Sequence, residues 1–351
     1  MALVRLRPWL RSWSTYTVLG LIGYVVASIA IGILARVTGV DATGRLVAVV
    51  LPAIGFLLAV FANRLILGVE QTVFYQASAA AWLAACGVAW CASLPVARIS
   101  DLVVVLVAIF NAFGRVGCLH VACCHGRPAR IGIKYGHEHV ALGFPRRWLG
   151  RRIFPIQLVE SAASGALAIA ATVVILSDEP PGTATCVFVV CYALVRFLVE
   201  LARGDAARPY FKGASEAQWI AVFTTAIVLA FRPTVATVGA SALLFVMLGT
   251  VLVANRIGRG LDRPNHLDEI EHSAIRLVSR EDSRPMWTSV GLKLSAHALP
   301  DGNVDLVCSH AQLTGERMER VATALFAHPR IIAGHSSGLF HVVIERNQLP
   351  S

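Results

Sequence analysis

The apolar run Leu102-Val-Val-Val-Leu-Val-Ala-Ile-Phe110 leads directly into Asn111-Ala-Phe-Gly-Arg-Val-Gly-Cys-Leu-His-Val-Ala-Cys-Cys-His-Gly-Arg-Pro128. A charge-free run of this kind belongs in lipid or in a core, and it ends on two arginines, three thiols and two imidazoles within 18 residues. Gly114, Gly117 and Gly126 remove side chains at three points, which permits close backbone approach or positive φ. The spacing predicts a helix that ends here and an irregular loop beyond it. Non-helical backbone at membrane depth persists only where protein buries it or it lines a watery cavity, so a pocket is expected at this level.

The rest of the chain supports a membrane setting. Of 351 residues, 56% are hydrophobic and 15% charged, and the mean hydropathy is +0.66, outside the range of ordinary soluble domains. Apolar runs recur at Thr17 to Ala35, Leu46 to Ile66, Gln76 to Leu94, Leu102 to Phe113, Leu158 to Leu176, Thr183 to Leu201, Gln218 to Phe231 and Val235 to Ala254. The first follows Arg5, Arg7 and Arg11 but is longer than a signal-peptide core and lacks a clear cleavage site, so it is read as a retained span. Arg232-Pro233 is either a turn between two spans or a break in one. The expected fold is an all-α integral membrane bundle of seven or eight transmembrane helices with a small soluble α+β C-terminal domain.

Boundaries are expected at 1–255 for the transmembrane domain, 256–286 for a linker with one short helix, and 287–351 for the soluble domain. In the last, alternation over Ser289 to Leu294 predicts a strand, Asp301-Gly302-Asn303 a turn into Val304 to Cys308, Leu313 to Phe326 a helix, and Gly338 to Glu345 a strand. The formal net charge of +10 sits in short loops rather than on one basic face, which fits anionic lipid headgroups and argues against nucleic acid. Basic residues are concentrated in alternate loops, notably Arg127 to Arg152, whereas the loop at Asp178 and Glu179 is acidic. The positive-inside rule puts the basic side in the cytoplasm. Cys86, Cys91, Cys186 and Cys191 lie inside apolar runs and read as small core hydrophobes rather than a disulfide framework.

An arginine near the centre of a bilayer costs roughly 2.5–3.5 kcal/mol on insertion scales, so each one needs a partner or a function. Tyr192, Arg196, Glu200 and Arg203 are spaced four, four and three apart and form one helical stripe. An Arg196–Glu200 pair that merely fixes packing would account for it. The fifth apolar segment, however, opens with Gln157 and Glu160 one turn apart, and Arg115 sits at the same level. Arginine forks suit phosphate oxygens and carboxylates hold the forks in place. The candidate guest is therefore a phosphate-bearing lipid.

Four blocks in order resemble the prolipoprotein diacylglyceryl transferase family: Gly114-Arg115-Val-Gly117, Phe154-Pro155-Ile-Gln157-Leu-Val-Glu160, Tyr192-Ala-Leu-Val-Arg196-Phe-Leu-Val-Glu200-Leu-Ala-Arg203-Gly-Asp205 and Ser215-Glu-Ala-Gln218. The resemblance covers roughly Thr17 to Ala254 and implies a multi-pass enzyme of the bacterial cytoplasmic membrane. Such an enzyme moves the diacylglyceryl group of phosphatidylglycerol to a prolipoprotein cysteine or another thiol acceptor, without a cofactor. It implies that Arg115 and Arg196 hold the phosphate, with Glu200, Tyr192, Arg203, Gln157, Glu160, Gly114 and Gly117 orienting them and lining the site.

Departures from the family are equally specific. Where the family commonly has His-Gly-Gly on the third span, this chain reads Phe74-Tyr75-Gln76-Ala77, and it carries Gly-Cys-x4-Cys-Cys-His-Gly as in a cysteine-containing branch. Tyr75, His120 and His125 are the candidates for proton transfer. Two alternatives stay open: a non-catalytic lipid-binding relative, and a thiol, metal or redox role for Cys118, Cys123, Cys124 and His125, whose spacing fits no standard zinc pattern. His137-Glu138-His139 reads as a solvated loop.

Overall fold

The computed structural model describes residues 14–67, 74–177, 179–206, 209–258, 260–261, 263–279, 284–326 and 328–345. Arg5, Arg7 and Arg11 ahead of the first span, and Asp178 of the acidic loop, lie outside them. The bundle is built from α1 (Thr15–Val37), α2 (Ala42–Leu67), α3 (Phe74–Cys91) and α4 (Val96–Val121). After a loop carrying β1 (Pro128–Lys134), the short α5 (His137–Val140) and β2 (Arg152–Ile153), the chain continues with α6 (Ile156–Leu176) and α7 (Thr183–Ala202). The hairpin β3 (Tyr210–Phe211) and β4 (Ala214–Ser215) leads to α8 (Glu216–Phe231) and α9 (Val235–Gly258). Among the described residues six helices, α1, α2, α4, α6, α7 and α9, are long and apolar enough to cross a membrane. The 18-residue α3 and the 16-residue α8 complete the bundle. Arg232-Pro233 is a turn: Thr237 donates to the Arg232 carbonyl at 2.8 Å as α9 begins.

The sequence explains why α4 is central. Leu102 to Ala108 are buried all the way round, as expected of a helix surrounded by protein, and they pack with residues of α1, α2, α3, α6 and α7. The helix is longer than expected at both ends. It begins at Val96, and Asp101 serves as a cap for its neighbour: its carboxylate accepts from the amides of Gly182 and Thr185 at 2.7 and 2.8 Å, where α7 starts. It also runs through Gly114 and Gly117, so these glycines do not end it. Gly117 instead admits α1, since a Cβ there would lie 3.0 Å from the Tyr16 Cα, and Gly23 of α1 faces Phe113 in the same way. The chain leaves α4 at Ala122, with φ of 58°.

The C-terminal region carries α10 (Pro264–Ser279), β5 (Met286–Trp287), β6 (Lys293–Ala298), β7 (Asn303–Ser309), α11 (Gly315–Leu325), β8 (Arg330–Ala333) and β9 (Leu339–Glu345). The strands form one antiparallel sheet in the order β5-β6-β7-β9-β8. Alternate residues Val304, Leu306 and Cys308 of β7 and Phe340, Val342 and Ile344 of β9 are buried together with apolar residues of α10 and α11. The stretch read as a linker thus holds a full helix that shares this core. The strand expected from Ser289 starts at Lys293, because Gly291 takes φ of 82° and Thr288 and Leu292 close a turn at 2.9 Å. The domain docks on the loop before α6: Arg147 pairs with Asp268 and Glu271, and the Trp148 indole donates to the Ala324 carbonyl at 3.0 Å.

Candidate functional site

Three helices deliver one buried charge cluster. The first turn of α6 carries Gln157 and Glu160, and α7 carries Tyr192, Arg196 and Glu200 on one face, with Arg203 as its C-cap. From α4, Arg115 reaches in on the same face as Asn111, whose amide donates to Ser164 of α6 at 2.7 Å. The meeting point is one oxygen, Glu160 Oε1. Arg115 Nη2 lies 2.8 Å from it, the Tyr192 phenol donates to it at 3.0 Å, and Arg196 Nε lies 3.9 Å away. Arg196 Nη1 donates to Glu200 Oε2 at 2.6 Å, and Arg203 Nη1 is 3.8 Å from the same oxygen. Arg203 is further held by Asp205 through two bonds of 2.9 and 2.7 Å.

Three guanidinium groups and three carboxylates thus balance in a buried network, an arrangement stable only when every charge is paired and hydrogen-bonded. Each guanidinium carries five donors in a planar fork, so an incoming phosphate can share donors while the carboxylates keep the forks aligned. Tyr75 of α3 sits edge-on to Tyr192 with ring centroids 6.3 Å apart, beside the network. Ser215 and Gln218 have a local role as the capping box of α8.

The loop after α4 closes the site on one side. The Gly204 amide donates to the His125 carbonyl at 2.9 Å and Gly126 bridges to Arg203. A Cβ on Gly126 would lie 2.4 Å from the Phe154 carbonyl oxygen, and one on Gly204 would lie 2.5 Å from the Gly126 carbonyl oxygen, so both positions need glycine for close approach. Gln157 Nε2 donates to the Cys123 carbonyl at 2.9 Å, which ties this loop to α6. The sulfur atoms of Cys118, Cys123 and Cys124 all lie within 4.8 Å of one another. Hydrogen bonds from the Cys118 and Cys123 thiols, then the fields of Arg203 and Arg115, hold the Cys124 thiol well below its ordinary range against the opposing effect of burial. Cys123 is correspondingly pushed up, first by its bonds to those two thiols.

Two sequence candidates fall elsewhere. His120 follows Arg115 by five residues, about 140° round the helix, so it projects away from the guanidinium stripe. Its Nδ1 is buried with no hydrogen-bond partner among the described residues. The His125 ring packs edge-on against Phe144 and Trp148 at 5.1 and 5.0 Å and does not join the three sulfurs. Burial among these rings lowers its pKa, and its Nδ1 lies 3.0 Å from the Gly126 carbonyl oxygen, so the ring packs as part of the loop core. His139 is likewise buried and accepts from the Gly136 amide at 3.2 Å. Gly114 lies on α4 with nothing within 4 Å of a Cβ built there. Asp205 and the Gly126–Gly204 contact are the site features that sequence reasoning missed, although Asp205 follows Arg203 by two residues.

A family model of the prolipoprotein diacylglyceryl transferases matches residues 14–232. The chain is similar to a phosphatidylglycerol–prolipoprotein diacylglyceryl transferase of Clostridium tetani, 31% identical over 134 residues, which cover 38% of this chain and 51% of the relative. It is also similar to the phosphatidylglycerol–prolipoprotein diacylglyceryl transferase 2 of Clostridium perfringens, 30% identical over 131 residues, covering 36% of this chain and 48% of the relative. The chain spans about half the length of the curated relatives it matches.

Proposed function

Because the chain belongs to the prolipoprotein diacylglyceryl transferase family, we propose that it works in the bacterial cytoplasmic membrane, moving the diacylglyceryl group of phosphatidylglycerol to the thiol of a prolipoprotein or a related acceptor. The observation that carries this reading is the convergence of Arg115 from α4 and Arg196 from α7 on the same buried oxygen of Glu160. Two forks from distant segments, fixed at one depth, are what a single headgroup phosphate needs.

In the reaction, the acceptor sulfur attacks the glyceryl carbon bonded to the phosphate oxygen. A C–S bond forms, the C–O and S–H bonds break, and glycerol phosphate leaves with the C–O bonding pair and takes up the thiol proton. Arg115 and Arg196 stabilise the charge that grows on the leaving phosphate. Glu160 and Glu200 aim the forks, Tyr192 steadies Glu160, Arg203 extends the positive field, and Gln157 fixes the loop. Tyr75 lines the network beside Tyr192, and His120 stands off the guanidinium stripe.

The test uses full-length protein in detergent with phosphatidylglycerol labelled in an acyl chain and a peptide carrying a lipobox cysteine. Labelled peptide is expected from the unmodified chain. A charged hydrogen bond contributes about 1.5–3 kcal/mol, so Arg115→Ala or Arg196→Ala is expected to lower the rate about 10- to 100-fold. Arg196→Lys restores little, because an ammonium lacks the fork. Unchanged transfer in both alanine variants would overturn the clamp.

A further inference from the structure

Beside the clamp stand three thiols for which the lipid has no use. Cys118 is on the last turn of α4 and buried, while Cys123 and Cys124 follow in the loop and are half-buried. Successive side chains ordinarily project to different sides of a chain. Here Ala122 and Cys124 both adopt left-handed backbone, with φ of 58° and 51°, a conformation unfavourable to residues other than glycine. The curl leaves all three sulfurs within 4.8 Å of one another. Three sulfurs around one ion, each at the zinc–thiolate distance of about 2.3 Å, stand about 4 Å apart, which the cluster reaches with small side-chain rotations. No fourth His, Cys, Asp or Glu joins it among the described residues.

We propose that Cys118, Cys123 and Cys124 hold a zinc ion whose open fourth position takes the acceptor thiol. This inference rests on the transferase reading, which requires the acceptor as a thiolate. Glu160 and Glu200 are each bound to guanidinium groups, which commits their oxygens to the clamp. Three protein ligands with one open position is the arrangement of a zinc that works on a substrate, and a coordinated thiol gives up its proton. Gln157, three residues before Glu160 on α6, donates to the Cys123 carbonyl and so ties the cluster to the helix that carries Glu160. Arg115 lies one helical turn before Cys118, and its positive charge offsets that of the thiolate-rich ion.

The step balances without an oxidant or reductant. The acceptor S–H proton is released on coordination, and its sulfur then attacks the glyceryl carbon. As the C–S bond forms, the C–O pair leaves with the phosphate, and the proton ends on the released glycerol phosphate. Zinc remains divalent throughout.

Metal analysis of the full-length chain, purified in detergent without chelator, is expected to find about one zinc per chain, reduced to background in Cys118→Ser and Cys124→Ser. Should these variants fail to fold, cobalt(II) exchanged into the unmodified chain gives the same answer through thiolate-to-cobalt charge-transfer absorption. A short peptide with one cysteine is expected to change that spectrum, and its serine analogue is not. Absence of both zinc and the cobalt band, copper in place of zinc, or a spectrum indifferent to the cysteine peptide would each overturn the proposal. None of these arms contains lipid. A chain that binds zinc and the thiol yet transfers nothing would therefore sink the transferase reading and leave the metal site standing.

Discussion

Glu160 is the residue on which the site turns, since Arg115, Arg196 and Tyr192 all reach one of its oxygens. Taking one partner out of a buried ion pair costs about 3–5 kcal/mol, because the other charge is left uncompensated. Glu160→Gln is therefore expected to lower the thermal midpoint in detergent far more than Asp205→Asn, whose side chain is 13% exposed against 2% for Glu160. Equal shifts for the two would show that Glu160 is not the shared anchor. At this scale the sequence was informative wherever spacing along one helix sufficed: Arg196, Glu200 and Arg203 declare one face by themselves. It was silent on the sharing of Glu160 across three helices. Nor does closeness to the cysteines in sequence report where His120 and His125 stand, which helix phase and packing against Phe144 and Trp148 decide.

Helices were legible from apolar runs, and their ends were not. The apolar run was read from Leu102, yet α4 begins at Val96, because the amides at the start of α7 satisfy the Asp101 carboxylate. Gly117 looked like a helix stop and is a packing contact. A Cβ on Gly23 would lie 2.6 Å from the Phe113 Cβ, whereas Gly114 has open space. Gly23→Val is expected to destabilise the bundle by about 1–3 kcal/mol through overpacking between α1 and α4. Gly114→Ala should leave the melting temperature unchanged or slightly raised. Thermal unfolding followed by circular dichroism compares them, and a harmless Gly23→Val would refute the close contact of α1 with α4. α10 was read as part of a linker because the stretch around it is polar and bounded by Pro264 and Pro285, but Leu267, Ile270, Ala274 and Leu277 recur at helical spacing and all are buried.

Across the molecule, the soluble region and the bundle are joined through Arg147, whose partners Asp268 and Glu271 lie more than a hundred residues away, a separation no local pattern reports. Arg147→Ala should loosen this docking, seen as faster tryptic release of the C-terminal region at unchanged bundle stability; an unaltered cleavage rate would count against it. The same region should respond to acid. His266 bonds the Leu261 carbonyl at 2.7 Å and Thr288 at 2.9 Å, and burial, its largest cause, lowers its pKa below the usual 6.5. The unfolded chain then binds the proton more readily, so this contribution is complete above pH 6.5 and declines as pH falls below it. A melting temperature of the region that is flat from pH 7 to pH 5, or His266→Gln leaving the acid response intact, would exclude the histidine. The position of α4 carries one further consequence, for biogenesis. Asp101, Asn111 and Arg115 bond to partners in α6 and at the start of α7, which the ribosome delivers later. Until residue 202 or so has emerged, α4 is a poor candidate to partition into lipid alone and is expected to linger at the translocon, where nascent chains truncated ahead of α7 should still crosslink to the insertion machinery and longer ones should not.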